Sequence, residues 1–175
     1  TSLEEVLKKA VSRLQNRQKT LIFTPNPEFL VFAQEKPAFK QLLNQAQISL
    51  PDGIGLVLVS RFLGQPLQGR VAGADAAAAL LKKADQNHWR VGLIGARRGV
   101  VKERQQLVKK LCQRFSGAEI FILEETPGWQ KKSWEIIFAC QGMGEQEKWL
   151  VEKSRFLKFG ILMGVGGGLD FLTGF

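Results

Sequence analysis

Apolar positions recur along this chain with two periods. Leu3, Val6, Leu7, Ala10, Val11 and Leu14 fall three and four apart with charges between them, which predicts an amphipathic helix over residues 3–17. Thr20-Leu21-Ile22-Phe23 is instead a β-rich run, and it ends at Thr24-Pro25-Asn26-Pro27. The prolines stop the strand and open the next helix, because proline is tolerated in a first helical turn. Residues 28–34 and 37–45 predict two short helices, followed by a short strand at Ile48-Ser49-Leu50. Helical spacing resumes near Gly53, runs through Leu56 to Leu63 and breaks at Gly64-Gln65-Pro66; an Ala-rich helix is expected over residues 76–84.

The second half alternates strands, glycine-rich turns and helices. Val91–Ile94, Ala118–Leu123, Glu135–Cys140 and Phe159–Val165 read as strands, with helices expected from the Gly95–Gly99 turn to about Phe115 and from Gly144 to about Lys153. Residues 124–133 read as an acidic loop with a helix start. Glycine-rich turns follow several strands at their C-terminal ends. Alternating helices and uniformly apolar strands imply an α/β fold, a Rossmann-like, mainly parallel sheet with helices on both faces. No repeat or linker divides the 175 residues, so one domain is expected.

Charge changes the picture more than composition does. The chain is 45% hydrophobic and 23% charged, as ordinary globular proteins are, but 25 Lys and Arg against 16 Asp and Glu give a net charge of +9. That balance favours anionic partners such as nucleotide phosphates, acidic lipid or nucleic acid. Nucleic acid ranks low, because Tyr is absent and most Phe fall within apolar runs rather than beside the basic residues. Cys112 and Cys140 read as small buried hydrophobes, and the one His88 as a surface residue of a polar turn. No His/Cys zinc site, Ser-His triad or metal-binding Asp-x-Asp pair is expected. No apolar run reaches the roughly 18 residues that span a bilayer, and the acidic start is unlike a signal peptide, so a cytoplasmic protein is expected.

The candidate chemistry centres on Pro51-Asp52-Gly53-Ile54-Gly55. Asp52 is placed at a strand's C-terminal tip, where ligands bind in open α/β sheets, and the glycines let backbone approach a ligand. The alternative is a helix cap at Asp52 and a turn at Gly53. Thr24 and Asn26, two residues apart, present polar groups to one side, or serve the turn. Arg70, a lone cation between glycines, is a solvated loop charge or a diphosphate clamp. Gly95, opening Gly95-x-x-x-Gly99, follows a strand and precedes a helix in a phosphate-friendly unit, although the spacing matches neither a dinucleotide fingerprint nor a P-loop.

Taken in order, Phe23-Thr24-Pro25-Asn26-Pro27-Glu28, Leu50-Pro51-Asp52-Gly53-Ile54-Gly55 and Gly69-Arg70-Val71-Ala72-Gly73-Ala74-Asp75 resemble motifs of the TagA/WecG/CpsF family of bacterial glycosyltransferases. Gly142-x-Gly144-x-Gln146-Glu147-Lys148-Trp149 and Gly164-Val165-Gly166-Gly167-Gly168-Leu169-Asp170 resemble its later motifs. The resemblance implies inverting, metal-independent and cofactor-free transfer of N-acetylmannosamine or a related sugar from a UDP donor. The implied acceptor is undecaprenyl-diphosphate-linked N-acetylglucosamine, met peripherally at the inner face of the cell membrane in wall teichoic acid or related polysaccharide synthesis. It implies Asp52 as general base, Thr24 and Asn26 at the sugar, Arg70 at the diphosphate, and Gln146 and Glu147 on the nucleotide side.

Two departures stand beside the resemblance. Gly144-Glu145 replaces the family's usual Pro-Lys, exchanging a cation for an acid. The sequence also stops at Leu172-Thr173-Gly174-Phe175, where the family usually continues into a basic appendage that helps dock to the membrane and completes the active site. A homo-oligomer fits this reading, with no residue that locates its surface. The competing expectations are an NAD-type redox or regulatory domain using Gly95, and a basic non-enzymatic binder of membrane or nucleic acid.

Overall fold

A computed structural model describes residues 2–97 and 100–174, so Arg98 and Gly99 of the glycine turn lie outside the described residues. The elements are α1 (Leu3–Gln15), β1 (Thr20–Phe23), α2 (Pro27–Glu35), α3 (Pro37–Leu43), β2 (Ile48–Ser49), α4 (Ile54–Phe62), α5 (Gly73–Asn87) and β3 (Arg90–Ile94). They continue with α6 (Val101–Arg114), β4 (Glu119–Ile122), β5 (Ser133–Ala139), α7 (Glu145–Ser154), β6 (Lys158–Gly164) and α8 (Gly168–Thr173). The strands form one parallel sheet in the order β2-β1-β6-β5-β3-β4. The expected α/β sheet with helices on both faces is what the chain forms.

Local signals explain several boundaries. Ser2 caps α1 reciprocally: its hydroxyl accepts from the Glu5 amide at 3.2 Å and its own amide donates to the Glu5 carboxylate at 2.9 Å. Asn26 caps α2, with Pro27 in the first turn. His88 is more than a surface residue: it ends α5 in the left-handed conformation at φ 54°, and its Nδ1 lies 3.0 Å from the Gly117 carbonyl. The acidic loop holds two short 3₁₀ turns, Leu123–Glu125 and Trp129–Lys131.

Alternation along each strand divides the core into two layers. Ile22, Ile136, Phe138, Ile161 and Met163 face α1, α5, α6 and α8. Leu21, Phe23, Ile137, Ala139 and Leu162 face the other way, against α7 and the Leu42–Leu43 end of α3. Burial on both faces is why these strands read as continuous apolar runs. Phe138 is fully buried in the central strand β5. Phe138→Ala is expected to cost roughly 3–5 kcal/mol in urea unfolding, since the cavity it leaves is walled by sheet and helix that cannot collapse.

Candidate active site

β1 and β6 are neighbours, but their following segments go to opposite faces: β1 leads to α2 and α3 beside α7, and β6 leads to α8 beside α5 and α6. Connections that part in this way leave a crevice at the strands' C-terminal ends. A cavity of about 400 Å³ lies there, lined by Thr24, Asn26, Phe29 and Asp52 on one side. Cys140 to Met143, Gln146 and Val165 to Gly167 line the other.

The sequence folds these loops together through their own backbone. The Asp52 amide donates to the Pro25 carbonyl at 2.9 Å, and the Val71 amide to the Pro51 carbonyl at 3.1 Å. The three motif loops around Thr24, Asp52 and Arg70 are thereby brought into contact. Thr24 Oγ1 donates to the Gly164 carbonyl at 3.3 Å and ties the same group to β6.

Asp52 does not cap α4, whose N-cap is Gly53 at φ 148°, a conformation suited to glycine. Its Oδ2 instead accepts from the Gly73 amide at 2.9 Å, the first residue of α5. That helix starts three residues before the Ala76 expected from sequence, with Ala72 as an N-cap that has no side-chain acceptor. The Asp52 carboxylate does the capping from another loop. A Cβ on Gly73 would lie 2.9 Å from Thr24 Cγ2 and 3.4 Å from Asp52 Oδ2, so glycine permits this approach.

Asp52 Oδ1 accepts from Arg70, whose Nη2 and Nε stand 3.3 and 3.4 Å away. The Arg70 side chain is 54% exposed, and such a pair contributes at most about 1 kcal/mol. Its Nη1 has no protein partner among the described residues. Asn26 spends Oδ1 on the Phe29 amide at 3.0 Å, leaving its Nδ2 without a protein partner. Both residues thus combine a structural bond with spare donors, Asn26 in the cavity wall and Arg70 beside Asp52.

Gln146 and Glu147 form a buried clamp. Gln146 Oε1 accepts from the Gly166 amide at 3.0 Å, and its Nε2 donates to Glu147 Oε1 at 2.7 Å. Glu147 Oε2 accepts from the Gly144 amide at 2.7 Å. Gln146 reaches the cavity, whereas Glu147 is fully buried and acts through it. Burial raises the Glu147 carboxyl above its ordinary range, against the lowering effect of the bonds from Gln146 and Gly144.

Gly95 stands apart from the cavity. Its strand, β3, is separated from β6 by β5, and its amide donates to Glu124 Oε1 at 2.7 Å. Its φ of 71° and close packing against Gln141 account for glycine there. Four wall residues, Phe29, Cys140, Gln141 and Met143, are not marked as site residues by the sequence; the last three are signalled only by their place at the turn after β5, and Phe29 only by following Asn26 in the first turn of α2. The Cys140 thiol is pushed far up by burial, with Asp170 and Glu124 adding to the effect, so it stays a neutral wall group. Among the described residues no three His, Cys, Asp or Glu side chains are grouped to hold a metal ion.

Geometry and charge together suit a polar, anionic ligand: the Asp52 carboxylate at the strand tip with the Arg70 guanidinium beside it, the Thr24 hydroxyl and Asn26 amide on the same side, and the Gln146 amide on the other. A sequence model described as the Glycosyl transferase WecG/TagA/CpsF family matches residues 1–175. The chain is 33% identical over 172 residues to an N-acetylglucosaminyldiphosphoundecaprenol N-acetyl-beta-D-mannosaminyltransferase of Bacillus spizizenii, covering 92% of this chain and 65% of the relative. It is 32% identical over 166 residues to a protein of the same name from Staphylococcus aureus, covering 91% and 65%. The chain therefore spans just under two thirds of the length of these relatives.

The clamp yields a pH prediction. With its pKa raised by folding, Glu147 holds its proton more tightly in the native state, so this contribution to stability is complete below the ordinary glutamate value of about 4.3 and is lost as pH rises through the raised value. Glu147→Gln cannot ionise and will show a flatter dependence of urea midpoint on pH in that window. It also turns one amide donor towards another donor, costing about 1–3 kcal/mol. Parallel slopes for the two proteins would contradict this account.

Proposed function

The chain belongs to the WecG/TagA/CpsF family of glycosyl transferases, and from that premise we propose that it moves N-acetylmannosamine or a related sugar from a UDP donor to a prenyl-diphosphate-linked N-acetylglucosamine. The observation that carries this reading is Asp52, a carboxylate at the tip of β2 opening on the cavity between β1 and β6. The reaction is a single inverting displacement. An acceptor hydroxyl attacks the anomeric carbon, Asp52 takes the hydroxyl proton, and the bond to the diphosphate breaks with its electron pair remaining on the departing UDP.

Negative charge grows on that leaving group, and Arg70 with its spare Nη1 donors is the cation proposed to meet it, without a metal. Thr24 and Asn26 are proposed to orient the sugar. Gln146 bounds the nucleotide side, where Glu147 fixes its rotamer. No helix among the described residues is long and apolar enough to cross a membrane, so the acceptor is proposed to be met peripherally, at the cytoplasmic face. The dinucleotide alternative requires the Gly95 amide for phosphate, and Glu124 occupies it.

Asp52→Asn keeps an oxygen for the Gly73 amide but loses the base. Turnover is expected to fall by about 10²–10⁴, with the UDP dissociation constant near that of the wild type, read by calorimetry in EDTA. Unchanged transfer in protein shown to be active would remove Asp52 from the role. Arg70→Ala is expected to weaken UDP binding by about tenfold or more, and an identical dissociation constant would exclude it as the clamp.

A further inference from the structure

Outside the cavity, the largest unexplained feature is apolar. α4 leaves Ile54, Leu58, Val59, Phe62 and Leu63 in solvent, Phe62 at 91% exposure, and α2 adds Leu30 and Val31. A soluble surface rarely gathers so many large aliphatic side chains without a partner. Between the two helices lies a groove of about 340 Å³, walled by Leu30, Leu56, Val59 and Leu63 and floored by Pro25 and Pro51.

The floor ties this groove to the reaction. Pro25 stands between Thr24 and Asn26, and Pro51 immediately precedes Asp52, so groove and cavity are lined by adjacent residues of the same two strand-tip loops. Among the described residues no charged side chain lines the groove; Ser49, Ser60 and Gln65 are its polar members. An adjoining depression shares Pro25, Leu30 and Ser49 with it and has Lys40 as its single charge, with no ion pair among the described residues. An apolar slot beside a free cation is complementary to an aliphatic chain that ends in an anion.

We propose that the groove between α2 and α4 binds the isoprenoid chain of the prenyl-diphosphate-linked acceptor, next to the carboxylate that receives the acceptor's proton; this rests on the transferase reading above. An acceptor whose hydroxyl sits at Asp52 leaves the cavity past Pro25 and Pro51, where the groove begins. The branched side chains of Leu30, Val59 and Leu63 offer the methyl-rich surface that an isoprenoid matches. Contact with the protein would replace contact with water for chain that has left the bilayer.

The test uses the double variant Val59→Gln/Leu63→Gln, at positions 51% and 73% exposed, where polar side chains leave the core intact. Binding of farnesyl diphosphate by equilibrium dialysis is expected to weaken about tenfold in the variant, while methyl diphosphate binding stays unchanged. Equal farnesyl diphosphate binding by variant and wild type would overturn the proposal, as would a parallel loss for both probes. If the substitutions leave farnesyl binding intact but dissociate an oligomer in sedimentation, or release the protein from anionic vesicles, the face belongs to a second copy or to the bilayer instead. Kinetics separate this proposal from the reading beneath it: with acceptors carrying farnesyl or methyl on the same diphosphate-sugar head, wild-type turnover of neither would sink the transferase assignment, whereas the dialysis result still decides the groove.

Discussion

The parallel pairing of β1 with β6 is the constraint on which the site depends. Thr20, Leu21 and Ile22 are in register with Ile161, Leu162 and Met163, which sets the ends of the two strands side by side. Their continuations then part, one to each face of the sheet, and the space between cannot be filled by either. Thr24, Asn26 and Asp52 reach that space from the loops after β1 and β2 and Gln146 from the start of α7 after β5, while Arg70, before α5, is held to the group through Asp52. The precision of the loops comes from backbone bonds at the strand tips, not from bulky packing.

Two carboxylates illustrate how differently the fold uses acids there. Glu147 is sealed within α7, spends both oxygens on N–H donors and, through Gln146, fixes the loops before α7 and α8 relative to each other. Asp52 is partly open to the cavity and divides its oxygens between the Gly73 amide and a loosely held, exposed arginine. The first arrangement suits position; the second, part-exposed and loosely paired, suits the roles proposed for Asp52 and Arg70. Little stability is lost if the Asp52–Arg70 pair opens, because an exposed pair contributes little to begin with.

The sheet and most helices were legible in the sequence because both-face burial writes itself as apolar runs and amphipathic helices as three- and four-residue spacing. The start of α5 was not, for a physical reason. Ala72 has no capping side chain and Gly73 has poor helix propensity, and the acceptor that starts the helix is Asp52, twenty-one residues earlier. The two local readings of Asp52, base or cap, turned out to be less exclusive than the sequence suggested: it caps a helix that is not its own while facing the cavity. Gly95 shows the converse. Its turn was visible, but strand order is not encoded locally, and β5 intervenes between its strand and the crevice. The departure Gly144-Glu145 likewise acquires a context only in three dimensions, since Gly144, at φ 85°, supplies the amide that Glu147 holds.

A sugar acceptor carried on a lipid imposes two incompatible solvents on one active site. The displacement needs polar groups and a cation, while the lipid resists leaving an apolar phase. On the proposed function the two demands would fall to neighbouring residues of the same loops: Pro25 and Pro51 line the apolar groove, while Thr24, Asn26 and Asp52 beside them line the polar cavity. Proline suits such a partition: it has no amide hydrogen to satisfy on the apolar side, and its fixed φ holds the neighbouring Thr24, Asn26 and Asp52 towards the polar one. The carbonyls of the same two prolines are bonded to Asp52 and Val71, so the wall between the compartments is also the seam that joins the three motif loops. A substitution that loosened that seam would therefore act on the proposed base and the proposed lipid groove together, whereas Val59 and Leu63 line the groove from its exposed side and take no part in the backbone bonds of the seam.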